Sequence, residues 1–364
     1  MKKKIRVALL FGGKSAEHEI SLISARNIFS AMDQRKYLVL AIAIDQQGRW
    51  FVDEGARLLR DANIAKVEFD RTAQNLAVLP GNATQGMLRA SSGNILGALD
   101  VAFPVLHGPF GEDGTIQGLL KLANVPFVGA GVLGSAVGMD KDVMKRLLRD
   151  AQIPIAKFLV FKRREQNAIS FAKTRDALGL PLFVKPANLG SSVGISKVSG
   201  KNEFVAALKE AFRYDNKIVI EEGIRGREIE CSVLGNDQPI ASLPGEILVQ
   251  HDFYSYDAKY LDDQGARFEI PARLPKAVVK NIQRLAVHAY RALCCEGMAR
   301  VDFFLRTNGQ VLVNEINTIP GFTKISMYPK MWQASGLNYS NLIDRLIGLA
   351  LERSRKEKRL SSSK

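Results

Sequence analysis

The sequence has few of the residues that build disulfide scaffolds and structural metal sites. Its 364 residues include four histidines and three cysteines, Cys231, Cys294 and Cys295, and they contain no C-x-x-C motif. An odd number of cysteines without framework spacing argues against a disulfide-stabilised fold, and the same scarcity argues against structural zinc. Because Cys294 and Cys295 lie in an apolar, helix-like segment, we expect buried thiols.

Long hydrophobic runs are also missing. No apolar run reaches the roughly 18–20 residues that a membrane-spanning helix needs, so we expect no membrane span. Basic residues precede the apolar run at residues 7–11, but a signal peptide needs an apolar region of about 7–15 residues and a small-residue cleavage site. Because the sequence continues with Gly12-Gly13-Lys14 instead, we expect a cytoplasmic protein.

Acidic residues are outnumbered by basic ones. Lysine and arginine total 51 against 37 acidic residues, which gives a formal net charge of +14. Residues 353–364 include six basic residues and one acidic residue and end in serines and a lysine, so we predict a disordered basic tail there. A basic surface can bind acidic partners, but no reading module or interleaving of aromatic and basic residues occurs, and we expect no specific nucleic-acid partner.

Strand-like and helix-like segments alternate along the chain, which predicts an α/β (α+β) fold. The apolar run that ends at Gly12-Gly13 is typical of a buried parallel strand. We predict an N-terminal α/β domain with a parallel sheet at residues 1–127, a central domain at 128–225 and a C-terminal domain at 226–352. The segment between Asp45 and Asp100 receives no predicted role.

A predicted hairpin near the C-terminus concentrates polar residues. Asn308-Gly309, a strong hairpin signal, joins apolar strands predicted at 299–305 and 311–316. Because side chains alternate along a strand, the hairpin could bring together the oxygen ligands that Mg²⁺ prefers and an arginine able to hold a phosphate or an oxyanion. These residues are Asp302, Glu315, Asn317 and Arg300. A solvated sheet face with charge pairs is an equally good interpretation of the hairpin alone.

Two turns could carry backbone N–H groups to a ligand. Residues 318–323 form a rigid turn in which Gly321 permits close approach of the backbone. In residues 185–194, Lys185 ends an apolar strand and a glycine- and serine-rich loop follows, which could cradle phosphates. The loop is not a P-loop, and by itself an ordinary hairpin turn explains it better.

Two glycine-rich segments in the N-terminal half carry acidic residues and histidine. Residues 107–118 end a strand, turn and begin a helix, and ligands bind at such carboxyl ends of parallel strands. The alternative is that their acidic residues only complement the helix N-terminus. In residues 12–19, Ser15 is a candidate N-cap. Glu17 would lie in the first helical turn, where its charge complements the helix dipole, and a functional role for Glu17 is about as well favoured as this structural one. We expect His18 to be exposed.

Together these segments resemble the D-alanine–D-alanine ligase family. The matching stretches run from Gly12 to Gly336, and residues 107–118 and 300–323 are the most specific, with residues 325–330 also similar. The resemblance implies a three-domain ATP-grasp architecture, with ATP held between the central and C-terminal domains. It also implies a homodimer, since members of the family are commonly dimers.

The resemblance implies specific roles for residues at the matching positions. The implied ATP-binding residues are Lys141, Lys185, Ser191, Ser192, Glu221, Glu222, Ile224, Glu228, Phe304, Asn314 and Glu315. Two Mg²⁺ ions, for which Mn²⁺ could substitute, would bind Asp302, Glu315 and Asn317, and a monovalent cation could act as well. The implied substrate-binding residues are Glu17, His107, Lys259, Tyr260, Arg300, Gly321, Ser326 and Met327. The implied catalytic residues are Glu17, Ser191, Arg300 and Gly321.

The implied reaction joins two D-alanine molecules for peptidoglycan precursor synthesis. ATP would phosphorylate the first D-alanine, and the amine of the second would attack the resulting acyl phosphate. Two alternatives remain open: D-lactate as the second substrate, and a non-catalytic ATP-binding module. Tyr260 argues against D-lactate, because in the family a tyrosine at this position accompanies D-alanine as the second substrate. The full set of metal ligands together with Arg300 argues against a non-catalytic module, which would need fewer of these residues.

Overall fold

The structure of the protein is a computed structural model. It describes residues 3–52, 57, 59, 76–79, 87–90, 95–249 and 266–360. The predicted substrate-binding residues Lys259 and Tyr260 lie outside the described residues.

Strands and helices alternate through most of the described chain. The strands are β1 (Ile5–Gly12), β2 (Tyr37–Ile44), β3 (Trp50–Phe51), β4 (Leu76–Leu79), β5 (Met87–Ala90), β6 (Ile95–Ala98), β7 (Val101–Val105), β8 (Phe158–Lys162), β9 (Leu182–Pro186), β10 (Ser196–Val198), β11 (Lys217–Glu222), β12 (Gly226–Gly235), β13 (Ile240–Ala241), β14 (Gly245–Val249), β15 (Ala266–Glu269), β16 (Gly297–Arg306) and β17 (Val311–Asn317). The helices are α1 (His18–Ala31), α2 (Thr115–Leu122), α3 (Val132–Met139), α4 (Lys141–Asp150), α5 (Phe171–Leu178), α6 (Lys201–Tyr214), α7 (Lys276–Ala292), α8 (Met327–Ala334) and α9 (Tyr339–Glu357). The α/β fold class is confirmed.

The first sheet has the order β3-β2-β1-β7, and β1 pairs in parallel with both β2 and β7. Alternate residues of β1 enter different cores, because side chains point to opposite faces of a strand. Val7 and Leu9 share one core with α1 and α9, whereas Ala8 and Leu10 share another with α2. Burial on both faces explains the continuous apolar run, and the predicted parallel strand is confirmed.

The second sheet is antiparallel, with the order β10-β9-β11-β8. On one face, Leu182 and Val184 of β9 and Ile220 of β11 pack into a core with α5 and α6. Alternation therefore turns Lys185 and Glu221 to the opposite face.

The third sheet is also antiparallel, with the order β15-β14-β12-β16-β17. Strand β13 pairs with Val233 and Leu234, near the end of β12. Apolar residues of β12 and β16, such as Cys231, Val301 and Phe303, pack against α7 and α4. The other face of β12 and β16 carries the polar residues. Between Asp302 and Phe303, a register shift interrupts the pairing of β16 with β17.

Several elements differ from the sequence-based expectations. Residues 163–178 form a 3₁₀ segment, Arg163–Ala168, followed by α5, because the Ser170 side chain accepts a hydrogen bond from the Lys173 N–H and starts a new helix. Helix α3 and the antiparallel sheet β4-β5-β6 were not predicted. Within the described part of the chain, no helix is long and apolar enough to cross a membrane.

The prediction of a disordered tail from residue 353 is wrong for its first part, because α9 continues to Glu357. Arg353 is buried and donates to the carbonyl oxygens of Phe127 and Gly129, both at 2.7 Å. Its guanidinium lies 4.4 Å from the centre of the Phe127 ring and 3.3 Å from the Glu296 carboxylate. These contacts tie the last helix to the segment that follows the first sheet, a distant partner that local charge patterning does not reveal.

We predict that Arg353→Met lowers the free energy of unfolding by about 2–4 kcal/mol, because it leaves two buried carbonyl groups without their donor. Arg355→Met, an exposed change two residues later, should alter stability by less than about 0.5 kcal/mol. Denaturant unfolding of the three proteins measures the difference. Equal midpoints for both variants would contradict the assignment of Arg353 as a structural clamp.

Candidate active site

A cavity of about 820 Å³ lies between the polar face of the third sheet, α1 and the loops at residues 107–112 and 317–327. Thirteen of the predicted site residues line it: Glu17, His107, Ser191, Glu228, Arg300, Asp302, Phe304, Asn314, Glu315, Asn317, Gly321, Ser326 and Met327. Residues from the two ends of the chain thus meet in one cavity. Lys141, Lys185, Ser192, Glu221, Glu222 and Ile224 do not line it.

Arg300 is fixed between two carboxylates. Its Nε and Nη2 each donate to one oxygen of Asp302 at 2.7 Å, and its Nε lies 3.1 Å from Glu230 Oε2. Burial alone would lower the pKa of Arg300, but Asp302 and Glu230 raise it well above its usual value. The guanidinium is therefore a fixed positive charge on the cavity wall.

The pairing of β16 with β17 groups the predicted metal ligands. Asp302 lies opposite Glu315, and Arg300 lies opposite Asn317. The Asn317 Nδ2 donates to Asp302 at 3.0 Å. No group of three His, Cys, Asp or Glu side chains in the described residues could hold a metal. Two carboxylates and an amide oxygen instead fit Mg²⁺, which takes few protein ligands and completes its shell with phosphate and water oxygens.

Glu17 connects the N-terminal segment to the loop after β9. The Ser191 hydroxyl donates to Glu17 Oε1. A Cβ added at Gly108 would lie 2.8 Å from Glu17 Oε2, and one added at Gly190 would lie 3.2 Å from it. The Glu17 carboxylate therefore fits between two glycines, where larger residues would displace it.

The start of α1 differs from the expectation for this segment. Glu17, not Ser15, occupies the N-cap position of α1, and Ser15 Oγ accepts from the Glu17 N–H at 3.2 Å. The expected exposure of His18 is also wrong. His18 is buried, with its Nδ1 2.8 Å from the Gly13 carbonyl oxygen.

His107 and Glu112 hold the two backbone polar groups of one residue, Ile319. The Ile319 N–H donates to Glu112 Oε1 at 2.9 Å, and His107 Nδ1 donates to the Ile319 carbonyl at 2.9 Å. The second Glu112 oxygen accepts from the Gly108 N–H at 2.8 Å. These bonds attach the turn before Gly321 to the loop at residues 107–112.

The imidazole of His107 has one nitrogen available for a ligand. Burial lowers the pKa of His107, so the ring is neutral. Since a carbonyl can only accept, the proton lies on Nδ1, and the lone pair is on Nε2. This buried Nε2 has no hydrogen-bond partner among the described residues, and it can accept a hydrogen bond from a substrate in the cavity.

The turn at residues 320–326 is closed by a serine. Ser326 Oγ accepts from the Thr323 N–H at 2.9 Å and lies 2.8 Å from Thr323 Oγ1. A Cβ added at Gly321 would lie 2.8 Å from the same Ser326 oxygen. Glycine at this position therefore lets the backbone pass close to Ser326 on the cavity wall.

The predicted nucleotide-binding lysines do not line the cavity and lie where α4 meets β9, β11 and the loop after β9. Lys141 Nζ donates to the Leu189 carbonyl at 2.5 Å, and Lys185 Nζ donates to Glu221 at 3.1 Å. Glu222 accepts from the Lys157 N–H at 2.8 Å and lies 3.2 Å from Arg306. The Glu222 side chain thus joins the second and third sheets.

Three buried charged residues in or near this site have no role in the sequence-based prediction: Glu112, Lys145 and Glu230. Glu230 lies two residues after Glu228, and alternation along β12 could have identified it. Lys145 lies four residues after Lys141, on the same face of a helix. Glu112 was visible only as a residue of the glycine-rich turn, because its partner at Ile319 is distant in the sequence.

We predict a pH-dependent contribution of Glu112 to stability. Burial and the charge of Glu17 raise the pKa of Glu112 to about 8, against the opposing effect of its two backbone donors. The folded state then keeps a proton that the unfolded state releases at lower pH, so this contribution falls as pH rises from about 5 to 8.

Urea unfolding of the wild type and Glu112→Gln at several pH values measures this effect. The stability advantage of the wild type should fall by up to about 1.4 kcal/mol per pH unit across that range. The exposed change Glu19→Gln serves as the control and should show no such slope. A pH-independent difference between the wild type and Glu112→Gln would refute the prediction.

Known proteins match this sequence over nearly the whole chain. Residues 6–130 match the family model of the D-ala D-ala ligase N-terminus, and residues 147–348 match that of the D-ala D-ala ligase C-terminus. The D-alanine–D-alanine ligase of Shouchella clausii is 54% identical over 99% of this chain and 98% of the relative. D-alanine–D-alanine ligase A of Escherichia coli is 53% identical, over 96% and 97%.

Solved structures are similar over the same length. The D-alanine–D-alanine ligase from Coxiella burnetii matches with a TM-score of 0.86 and 42% identity, covering 98% of this chain and 96% of that chain. The VanG D-Ala:D-Ser ligase from Enterococcus faecalis matches with a TM-score of 0.85 and 38% identity, covering 96% and 100%. The chain therefore belongs to the D-alanine–D-alanine ligase family and has its ATP-grasp fold.

Proposed function

We propose that the protein uses ATP to join two D-alanine molecules into D-alanyl-D-alanine, with ADP and phosphate as the other products. The observation that carries the proposal is the fixed Arg300 guanidinium, which shares one cavity with Glu17 and the pair Asp302 and Glu315. A carboxylate, a cation and oxygen ligands for a metal match the three charged parts of such a reaction: an ammonium, a developing oxyanion and a polyphosphate.

The residues around Arg300 fit the acyl-transfer part of the chemistry. Glu17 carries the charge that an amino-acid ammonium needs, and His107 Nε2 offers a neutral acceptor near it. Arg300 and the Gly321 N–H would stabilise the oxyanion of the tetrahedral intermediate formed when the amine of the second D-alanine attacks the acyl phosphate. Ser326 would bind the carboxylate of that second substrate. Because water hydrolyses acyl phosphates, an enclosed cavity favours ligation.

Asp302, Glu315 and Asn317 would hold the Mg²⁺ ions that accompany ATP. Their two carboxylates and one amide oxygen fit this hard cation. When bound, Mg²⁺ neutralises phosphate charge. Lys141 and Lys185 would bind phosphates of ATP, and Glu228 and Phe304, which face each other across β12 and β16, would line the nucleoside site. Mn²⁺ is proposed only as a substitute for Mg²⁺, and a monovalent cation only as an accessory ion.

We also infer the organisation and setting of the enzyme. Three domains with boundaries near residues 127 and 225 are supported by the sheets, since the first reaches Phe127, the second ends at Glu222 and the third begins at Gly226. A homodimer and a cytoplasmic location follow from family membership and from the proposed substrates. Size-exclusion chromatography with light scattering tests the dimer.

The proposed reaction is tested by mixing the purified protein with ATP, Mg²⁺ and D-alanine, and with L-alanine in a parallel reaction. We expect phosphate release that requires D-alanine, together with a product of the mass of D-alanyl-D-alanine. ATP hydrolysis that ignores D-alanine, or none at all, would overturn the proposal and favour a non-catalytic ATP-binding module.

A second candidate concerns the second substrate, because the similar structure VanG is a D-Ala:D-Ser ligase. Tyr260, which distinguishes D-alanine from D-lactate in the family, lies outside the described residues. Equal concentrations of D-alanine, D-serine and D-lactate in one reaction resolve the choice by product mass. We expect the D-alanine dipeptide to dominate, and a dominant ester or D-serine product would reassign the specificity.

We predict that Arg300→Lys lowers kcat about 100-fold with little change in the KM for ATP, because a lysine keeps the positive charge but loses the two-pronged contact and the oxyanion donor. Arg267→Met, an exposed change on β15 of the same sheet, is the control and should retain wild-type kcat. Steady-state kinetics measure both. Near-normal kcat in Arg300→Lys would remove the guanidinium from the proposed mechanism.

A further inference from the structure

A lysine that cannot reach any substrate lies beneath the proposed nucleotide site. Lys145 is fully buried on α4, four residues and one helical turn after Lys141. Its Nζ lies 3.2 Å from Glu221 Oε1 and 5.8 Å from the centre of the Phe158 ring. With no exposed surface, Lys145 can act only through its neighbours.

Glu221 serves two lysines at once. Its Oε1 faces Lys145, and its Oε2 accepts from Lys185 Nζ at 3.1 Å. Burial alone would raise the pKa of Glu221, but Lys145 and Lys185 lower it to about 2. Burial lowers the pKa of Lys145, and the charge of Glu221 opposes that shift. With both lysines protonated, one negative charge meets two positive charges in this buried group, which gives a net charge of +1.

Without Lys145, the remaining pair would be neutral. Glu221 and Lys185 would then cancel each other, and the carboxylate could turn both oxygens toward the Lys185 ammonium. The positive potential that Lys185 offers to a phosphate would fall, because an adjacent counter-ion in a medium of low dielectric cancels most of the field.

We propose that Lys145 is a positioning residue of the nucleotide site, which occupies one oxygen of Glu221 so that Lys185 keeps its orientation and positive charge for the phosphates of ATP. The inference rests on the proposed function, since it assumes that Lys185 binds ATP. The three groups come from different elements, α4, β9 and β11, so their arrangement also depends on the packing of α4 against the second sheet.

A purely structural role makes a different prediction. Loss of one partner of a buried ion pair usually lowers stability, because the other charge is left buried and unpaired. Here Glu221 would keep Lys185 as a partner, so a methionine of similar size at position 145 tests the role of the charge. If Lys145 only fills space, its replacement should change stability and leave nucleotide affinity intact. If it acts through Glu221, its replacement should weaken ATP binding, and the same replacement should cost little further affinity in a protein that already lacks the Glu221 charge.

The test measures binding of the non-hydrolysable analogue AMP-PNP with Mg²⁺ by calorimetry, together with steady-state kinetics, on the full chain. We expect Lys145→Met to weaken binding about 30-fold and to raise the KM for ATP similarly, with the KM for D-alanine within about twofold of wild type. The double variant Lys145→Met with Glu221→Gln should bind within about threefold of Glu221→Gln alone, because Lys145 then has no carboxylate to hold.

Arg353→Met is the matched control, since it removes another buried cation far from the nucleotide site and should leave AMP-PNP binding unchanged. If Lys145→Met does not fold, Lys145→Gln replaces it with the same expected outcomes. Wild-type affinity in Lys145→Met, or a double variant that binds about 30-fold more weakly than Glu221→Gln alone, overturns the inference. A wild-type protein that forms no dipeptide overturns the proposed function instead, so the two failures are distinguishable.

Discussion

The hydrogen bonds that His107 and Glu112 make with the Ile319 backbone are the contacts on which the geometry of the cavity depends. They join a loop that follows the first sheet to a turn that follows the third, although the residues are more than 200 positions apart. Through them, the segment with Glu17 and the strand with Arg300 face the same space. The bonds are buried, so water does not compete for them, and two packed side chains on one wall fix a backbone segment of the other.

Strand alternation explains how three sheets supply a polar site without losing their cores. Each strand near the site gives one face to an apolar cluster and the other to charged groups, as β16 does with Val301 and Asp302. The charges are then held on elements that are rigid because their opposite faces are packed. This arrangement places several ionised groups in one cavity at a moderate cost, since most of them are paired.

The sequence predicts those parts whose causes are local. The run of β1 and the Asn308-Gly309 hairpin carry their own signals, and the hairpin also groups Asp302 with Glu315 as predicted. The sequence could not predict that Arg353 lies in an ordered helix or that Lys145 is buried, because their partners are distant in the sequence. The start of α1 was predicted at Ser15 instead of Glu17 for a related reason: Glu17 is fixed by Ser191 of another element.

One apolar cluster of the first sheet contains residues from distant parts of the sequence, and this affects how the sheet can fold during synthesis. Val7 and Leu9 of β1 share their apolar cluster with Leu342, Ile343 and Leu346 of α9, in a distant part of the sequence. Because the ribosome synthesises β1 well before α9, one face of the first sheet stays uncovered while the residues between them are made. The core of this sheet therefore cannot close before α9 has been synthesised, and its apolar face is exposed until then.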